Sequence, residues 1–114
     1  MKKVAIIGAG ISGLFIANLF KKNSNYQITI FEKNTSISLE EGYGIQLSVN
    51  SIKLLNEIGF EKTQNMEKFT PEKINFYSNK DLNKICELNI SDFNTGDSKY
   101  TTLKRSTLIN FLKK

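Results

Sequence analysis

A glycine-rich turn near the start of the chain has the residue types and spacing of a phosphate site. Residues 8–13 read Gly-Ala-Gly-Ile-Ser-Gly and directly follow the apolar run 4–7. Gly8 lets the chain turn sharply off a strand, Gly10 has no Cβ to hold the backbone away from a pyrophosphate, and Gly13 lets a helix lie close to the sheet. The turn therefore predicts a site for a dinucleotide.

The segments around the turn complete the pattern of a βαβ unit. A helical pattern runs from Ile11 to about Lys22, and a second apolar run, 27–31, ends at Glu32, about 20 residues after the glycines. Free N–H groups at the helix start attract phosphates, and the Ser12 hydroxyl can join them. Glu32 is placed to accept hydrogen bonds from ribose hydroxyls, and its charge disfavours a 2′-phosphate, so FAD or NAD is predicted rather than NADP. The alternative is a glycine turn in an unrelated α/β protein, with Glu32 only solvated.

Composition limits the other functions open to the chain. Its 114 residues suit one small domain, and a 39% hydrophobic content suits a soluble globular protein. No apolar run reaches the roughly 18 residues of a membrane span, and the start lacks a signal-peptide pattern, so a cytoplasmic location is expected. Cys86 is the single cysteine and histidine is absent, which leaves no internal disulfide. We expect Cys86 to pack as a small apolar residue.

The net charge of +5 comes from scattered lysines and a single arginine, Arg105. Nucleic-acid binders usually concentrate their basic residues on one face or arm. The lysines are instead interpreted as a solvated surface, and no nucleic-acid partner is predicted.

The middle of the chain predicts a polar loop, a strand and a helix. Residues 33–41 are loop-like, and residues 42–47 form a glycine-flanked apolar segment. Apolar residues at helical spacing over 50–58 predict an amphipathic helix, capped by Asn50 or Ser51 and ended by Gly59. Phe60 is expected to close that end of the core.

Further along, the period of the pattern changes to two. Residues 74–90 alternate about a polar turn at 79–83, which predicts an antiparallel hairpin. A strand is expected over 100–104, and a last helix, capped by Ser106, is expected to follow.

Several of these segments together resemble a known family. The turn 8–13, Glu32, residues 42–55 (GYGIQLSVNSIKLL) and residues 103–112 (LKRSTLINFL) resemble the N-terminal third of FAD-dependent aromatic hydroxylases. These are single-component flavoprotein monooxygenases of the salicylate hydroxylase, 4-hydroxybenzoate hydroxylase and ubiquinone-biosynthesis hydroxylase type. The resemblance spans nearly the whole chain, and residues 42–55 carry its most particular motif.

The resemblance implies a role for individual residues. Gly8, Gly10, Ser12 and Gly13 would hold the pyrophosphate, and Glu32 would hold the adenosine ribose, with Lys33 beside it. Gly44 would bring backbone near the flavin, and Arg105 would reach the FAD phosphates or ribitol. A surface arginine near a helix start is the alternative for Arg105. The cofactor-binding residues expected are Gly8, Gly10, Ser12, Gly13, Glu32, Lys33, Gly44 and Arg105.

The resemblance also implies a reaction and a division of the chain. In the full-length family, NAD(P)H reduces FAD, and oxygen is then transferred to a small aromatic substrate. Residues 1–69 would be the N-terminal part of the FAD-binding domain, 70–96 the first strands of the substrate-binding sheet, and 97–114 a return to the FAD-binding domain. Phe76 or Tyr77 could face a substrate, although core packing is the favoured interpretation. No catalytic residue and no metal ligand is assigned.

Family members are several times longer, so the expected fold is an incomplete α/β domain: a Rossmann-like FAD-binding βαβ unit followed by the hairpin. We interpret the chain as a fragment that is inactive alone, binds FAD weakly and is open to self-association. Two alternatives stay open: a fragment of another FAD or NAD oxidoreductase, and a small nucleotide-binding protein without catalysis.

Overall fold

The structure is a computed structural model that describes residues 1–35 and 43–114. Residues 36–41 of the predicted loop 33–41, and Gly42, the first residue of the predicted β segment 42–47, lie outside the described residues. The elements have these bounds: β1 Lys2–Ile7, α1 Ile11–Lys21, β2 Tyr26–Phe31, β3 Gly44–Leu47, α2 Val49–Asn56, a 3-10 helix Phe60–Lys62, β4 Lys68–Phe69, β5 Ile74–Tyr77, β6 Lys84–Leu88, a second 3-10 helix Ile90–Phe93, β7 Thr101–Lys104 and α3 Arg105–Leu112.

The predicted βαβ unit is present at the start of the chain. Strands β1 and β2 pair in parallel, from Lys2 opposite Tyr26 to Ile7 opposite Phe31, with α1 as the crossover. Strand side chains alternate between the two faces of a sheet. In β2 the residues at even positions are half-buried and those at odd positions exposed. The half-buried face is the one that α1 covers, since Ile30 packs against the same core as Leu14 of α1.

A second, antiparallel sheet carries the rest of the core. Strand β7 lies between β3 and β4, so the last part of the chain returns to pair with two earlier segments. Helices α1, α2 and α3 and the Phe60 turn pack together beside it, and Phe60 is buried as predicted. The buried core cluster consists of Ala9, Leu14, Ile52, Leu55, Phe60, Leu103, Leu108, Ile109 and Leu112.

The side chain of Asn18 joins α1 to α3. Its amide nitrogen donates to the carbonyl of Leu14, one turn earlier in α1, and to the carbonyl of Leu112 at the end of α3, each at 2.8 Å. The last turn of a helix leaves carbonyls without intrahelical partners. Asn18 satisfies one of them and fixes the C-terminal end of α3 on α1.

The predicted hairpin is formed by β5 and β6, but it does not pack into the core. The strands pair from Ile74 opposite Leu88 to Tyr77 opposite Lys84. Phe76 is 48% exposed and Tyr77 56%, so the expectation of core packing for these side chains is wrong. Cys86 lies on β6 and is also exposed, contrary to its predicted packing. The hairpin has no third strand among the described residues to cover it, which explains both differences.

Two predicted helix caps are displaced. Helix α2 has Ser48 as its N-cap and begins at Val49, so Asn50 and Ser51 lie within its first turn. Helix α3 begins directly at Arg105 after β7, and Ser106 is a helical residue rather than the cap. Only Ser48 lies between β3 and α2, and β7 passes directly into α3, so each helix begins earlier than the predicted cap allows. Gly59 follows α2 with a positive φ of 90°, as its predicted terminating role requires.

Across residues 1–35 and 43–114, none of the helices is both long and apolar enough to cross a lipid bilayer.

Replacement of Gly13 by alanine is expected to destabilise the fold. A Cβ at this position would lie 2.1 Å from the carbonyl oxygen of Gly8, which is backbone and cannot move aside. The gain of about 1 kcal/mol that alanine brings to a helix interior is therefore outweighed by an overpacking loss of roughly 1–3 kcal/mol. Urea unfolding followed by circular dichroism measures the difference.

The matched control is Gly10→Ala. A Cβ at Gly10 meets no atom within 4 Å, and its φ of −77° suits any residue. We expect a change below about 1 kcal/mol. Equal stability of Gly13→Ala and the wild type would contradict the close approach of α1 to the turn.

Candidate functional site

The glycine turn and Glu32 lie side by side because β1 and β2 are parallel neighbours. The last pair of the ladder is Ile7 opposite Phe31, so the residues that follow, Gly8 and Glu32, emerge at the same sheet edge. The Gly8 N–H donates to the carbonyl of Phe31 at 2.7 Å, which extends the ladder by one bond. Gly8 then turns away with a φ of 98°, a conformation that favours glycine.

The carboxylate of Glu32 is held by backbone amides on both sides. Its Oε2 accepts a hydrogen bond from the Ala9 N–H at 2.7 Å, and its Oε1 accepts one from the Asn34 N–H at 3.2 Å. The Ala9 bond is the main cause that lowers the pKa of Glu32 below its ordinary value, followed by the Asn34 bond, with a smaller contribution from Lys33.

Sequence reasoning placed Glu32 near the turn but missed its bond to Ala9. A signal for that bond is available in the sequence, since an acid directly after β2 reaches the turn that follows the adjacent parallel strand. Each carboxylate oxygen has two lone pairs, so both oxygens of Glu32 can still accept a hydrogen bond from a ligand hydroxyl.

The first turn of α1 presents free donors at the same edge. The N–H groups of Ile11, Ser12 and Gly13 have no intrahelical acceptor by position, and they donate to no other residue in the described ranges. Gly10, the N-cap, supplies no side-chain cap and leaves open space where a Cβ would stand. Ser12 is exposed, so its hydroxyl is accessible from solvent. These groups suit an anion that approaches the positive end of the helix dipole.

Gly44 and Arg105 form a second group, on β3 and at the start of α3. Gly44 pairs with Lys104, and the Arg105 N–H donates to the carbonyl of Tyr43 at 2.9 Å. One terminal nitrogen of the Arg105 guanidinium, Nη1, is buried without a hydrogen-bond partner among the described residues. A buried cationic donor without a partner is unfavourable unless something else satisfies it. Gly44 is exposed, and a Cβ there would meet no atom within 4 Å.

The elements that carry the two groups, α1, β3 and α3, each contribute side chains to the same apolar core. A cavity of about 180 Å³ is lined by Ile11 and Ser12 of the first turn of α1, by Leu47 of β3 and by Leu108 of α3. Leu108 lies one turn after Arg105. Glu32 and Arg105 share no hydrogen bond or ion pair in the described structure, and the exposed Lys33 contacts neither the turn nor Arg105 through such a bond.

The described part of the chain offers little for acid–base or metal chemistry. Within those residues no group of three or more histidine, cysteine, aspartate or glutamate side chains is arranged to hold a metal ion. The carboxylates with a lowered pKa, Glu32, Asp81 and Glu87, owe the shift mainly to hydrogen bonds, so they stay ionised at neutral pH. The site is arranged to bind a polar ligand.

Comparison with known sequences supports the dinucleotide interpretation. Residues 6–40 match the family described as the NAD(P)-binding Rossmann-like domain. A protein named NADH oxidase from Mycoplasma pneumoniae is 33% identical over 75 residues, which are 65% of this chain and 14% of that protein. The matched range 6–40 contains both the turn and Glu32. The predicted Rossmann-like unit is therefore confirmed.

Two solved structures share the fold of the chain as a whole. The 2,6-dihydroxypyridine-3-hydroxylase from Arthrobacter nicotinovorans aligns with 97% of this chain at a TM-score of 0.71 and 14% identity. A protein of Photorhabdus luminescens subsp. laumondii, named as an FAD-containing monooxygenase, aligns with 100% of it at a TM-score of 0.67 and 24% identity. This chain covers 25% and 28% of the two structures, respectively. The predicted resemblance to the N-terminal part of flavin-dependent hydroxylases is confirmed in its fold.

Stability is expected to fall in acid partly through Glu32. Its pKa is lower in the folded state than its ordinary value of 4.5, so its contribution is complete above about pH 4.5 and is lost as the pH falls through the lower folded value. In Glu32→Gln this part of the pH dependence disappears, because an amide does not titrate. Urea midpoints measured between pH 7 and pH 3 should decline less steeply for Glu32→Gln than for wild type.

Glu61→Gln serves as the control, since Glu61 is an exposed acid in the 3-10 helix Phe60–Lys62, away from the turn. If the urea midpoints of wild type and Glu32→Gln decline equally between pH 7 and pH 3, the contribution of the Ala9 bond is contradicted.

Proposed function

We propose that this chain binds FAD and forms the flavin-binding part of an NAD(P)H- and oxygen-dependent monooxygenase that hydroxylates a small aromatic substrate. The observation that carries the proposal is the edge at the start of α1, where free N–H groups lie beside a carboxylate at the end of β2. The two structural neighbours, a hydroxylase and an FAD-containing monooxygenase, support the cofactor and the reaction class.

The residues present fit a dinucleotide. Gly10 leaves the space that a pyrophosphate would need, and the N–H groups of Ile11 and Ser12 would bind its oxygens, together with the Ser12 hydroxyl. Glu32 would accept hydrogen bonds from the adenosine ribose with its remaining lone pairs. A guanidinium is a strong partner for phosphate. Arg105 would use its unpaired Nη1 for an oxygen of the phosphates or ribitol.

The chemistry of the reaction belongs to the cofactor, which, when bound, takes a hydride from NAD(P)H and activates oxygen. The residues of this chain bind and orient it. The backbone of Gly44, which is exposed and without a Cβ, would lie near the flavin side. Lys33 would lie beside the ribose and offset part of the charge of Glu32. No side chain of the chain is proposed as a general acid or base.

The division of the chain into parts follows from which strands pair. We assign residues 1–69 and 97–114 to the FAD-binding domain, because β4 and β3 both pair with β7 and share one core. Residues 70–96 would be the first strands of the substrate-binding sheet. The exposure of Phe76 and Tyr77 supports this assignment, since those side chains remain free to contact a substrate or a further strand.

The extent of the match limits what these residues do alone. The chain covers about a quarter of each structural neighbour, so it would supply only part of the contacts to FAD. The free energy of binding is what remains when the entropic cost of association is subtracted from the free energy of the contacts. A partial site loses contacts while most of that cost remains, so it keeps much less than a proportional part of the affinity. We expect weak FAD binding, no hydroxylation by these 114 residues and self-association through the exposed hairpin. We place the protein in the cytoplasm, without a nucleic-acid partner.

A second candidate is an NAD-dependent oxidase, favoured by the NADH oxidase match at 33% identity. The two candidates differ in the ligand that the turn prefers. Titration of ¹⁵N-labelled protein with FAD and with NADH, followed by amide shifts of residues 8–13, separates them. Amide shifts that change at a lower concentration of FAD than of NADH support the monooxygenase proposal, whereas amide shifts that change with NADH alone support the oxidase.

Gly10→Val is expected to weaken FAD binding without unfolding the protein. The new side chain would fill the space in front of the first turn of α1, where the pyrophosphate is proposed to lie, and it meets no protein atom within 4 Å of its Cβ. We expect Kd to rise at least about tenfold, or roughly 1.4 kcal/mol. Amide shift titration measures it, and Ala5→Val, on the exposed face of β1, is the control. The same Kd in Gly10→Val and Ala5→Val would argue against the site.

Arg105→Gln is expected to raise the FAD Kd about tenfold or more, since a hydrogen bond to a charged group contributes roughly 1.5–3 kcal/mol. Lys104→Gln removes the same charge one residue earlier, on an exposed side chain. It should leave Kd within about twofold, because exposed ion pairs contribute little. Equal losses in the two variants would show that Arg105 acts only through net charge.

A further inference from the structure

The contact between Glu32 and Ala9 has a geometry that ribose binding does not require. Oε2 accepts the Ala9 N–H at 2.7 Å, and Ala9 is only 6% exposed. Ala9 stands between Gly8 and Gly10, the two residues of the turn with the fewest conformational restrictions. A carboxylate that accepts a backbone N–H makes a strong, charge-assisted hydrogen bond.

We propose that Glu32 is a positioning residue for the glycine turn, and that its carboxylate holds residues 8–10 in the shape that leaves the first-turn N–H groups free. The turn is fixed to β2 by two bonds. The Gly8 N–H to Phe31 carbonyl bond is made by backbone alone and survives any substitution. The Ala9 bond requires an acceptor of suitable reach at position 32, so it is the one that the side chain controls.

A second feature supports this role. The N-cap of α1 is Gly10, which has no side chain to accept an N–H of the first turn. A helix start with a side-chain cap is stabilised locally. Here the turn takes its acceptor from the next strand, through Glu32, and the Ile11, Ser12 and Gly13 donors stay unused. The contact therefore fixes the shape of the turn without using any of the first-turn donors.

The arrangement couples the two halves of the dinucleotide site. The carboxylate that orders the phosphate turn is also the proposed acceptor for the ribose hydroxyls, so loss of the carboxylate would weaken both. This consequence rests on the proposed function. The contact between Glu32 and Ala9 does not, because it is made between two residues of this chain.

The test is an NMR pH titration of the ligand-free protein, with variants at position 32. In wild type, the Ala9 amide proton should shift between pH 7 and pH 2.5 with the midpoint of the Glu32 carboxyl carbon. Glu32→Gln keeps an acceptor of the same reach without titration, so Ala9 should stay at its hydrogen-bonded shift at every pH. Glu32→Asp keeps the charge on a shorter side chain and should move Ala9 toward the shift of a free amide. Glu61→Gln should leave the wild-type titration unchanged.

The outcomes separate the inference from the function. A wild-type Ala9 amide that does not titrate with Glu32, or one that gives the same shift in Glu32→Asp and Glu32→Gln, would overturn the positioning role. Should a position-32 variant fail to fold, the wild-type titration still decides. Failure of FAD to bind, with the Ala9 titration as expected, would count against the proposed function and leave the positioning role of Glu32 standing.

Discussion

The close approach of α1 to the turn before it is the contact on which the rest of the structure depends. The helix lies so near β1 that a Cβ at Gly13 would overlap the carbonyl oxygen of Gly8. This approach places Leu14 in the core cluster and leaves the N-terminal N–H groups of the helix at the sheet edge. A larger residue at position 13 would move the helix outward and change both arrangements together. The residue at position 13 thus controls both the packing of the core and the access to the N-terminal N–H groups of α1.

Arg105, the proposed partner of the phosphates or ribitol, is positioned through α3. Asn18 holds the Leu112 carbonyl, and the eight residues of α3 carry that restraint back to Arg105 over a length of about 12 Å. At its N-terminal end the helix is joined to the β3 segment by the Arg105 N–H to Tyr43 carbonyl bond. The helix that carries Arg105 is therefore held at both ends, although Arg105 is far from the glycine turn in sequence. A fixed guanidinium loses less entropy on binding an anion than a free surface lysine does.

The sequence predicted the parts of the fold whose cause is local. The βαβ unit was predicted from glycines at three spaced positions and an acid after an apolar run, and the hairpin from the alternation over 74–90. Each of these patterns depends only on neighbours in the chain. The caps predicted at Asn50 or Ser51 and at Ser106 were wrong because at most one residue separates each helix from the strand before it. Burial of Phe76 and Cys86 was wrong because it depends on what covers the hairpin, and an alternating pattern does not specify the covering element. The bond between Glu32 and Ala9 forms because the ends of β1 and β2 lie side by side. The spacing of the motif predicts that the two residues are close, but it does not predict the hydrogen bond.

The electrostatics of Glu32 favour a role in recognition over a role in proton transfer. Catalytic acids and bases usually owe a shifted pKa to burial or to a like charge, which holds them near neutrality. Glu32 has the opposite arrangement, because two backbone N–H groups stabilise its charged form. A permanent negative charge beside a phosphate site is unfavourable unless positive groups offset it. In the proposed site, Nη1 of Arg105, which has no partner among the described residues, and the dipole of α1 would supply that offset, so the carboxylate could order the turn and bind a ribose diol. On this proposal charge serves recognition, and the cofactor carries the reactive step.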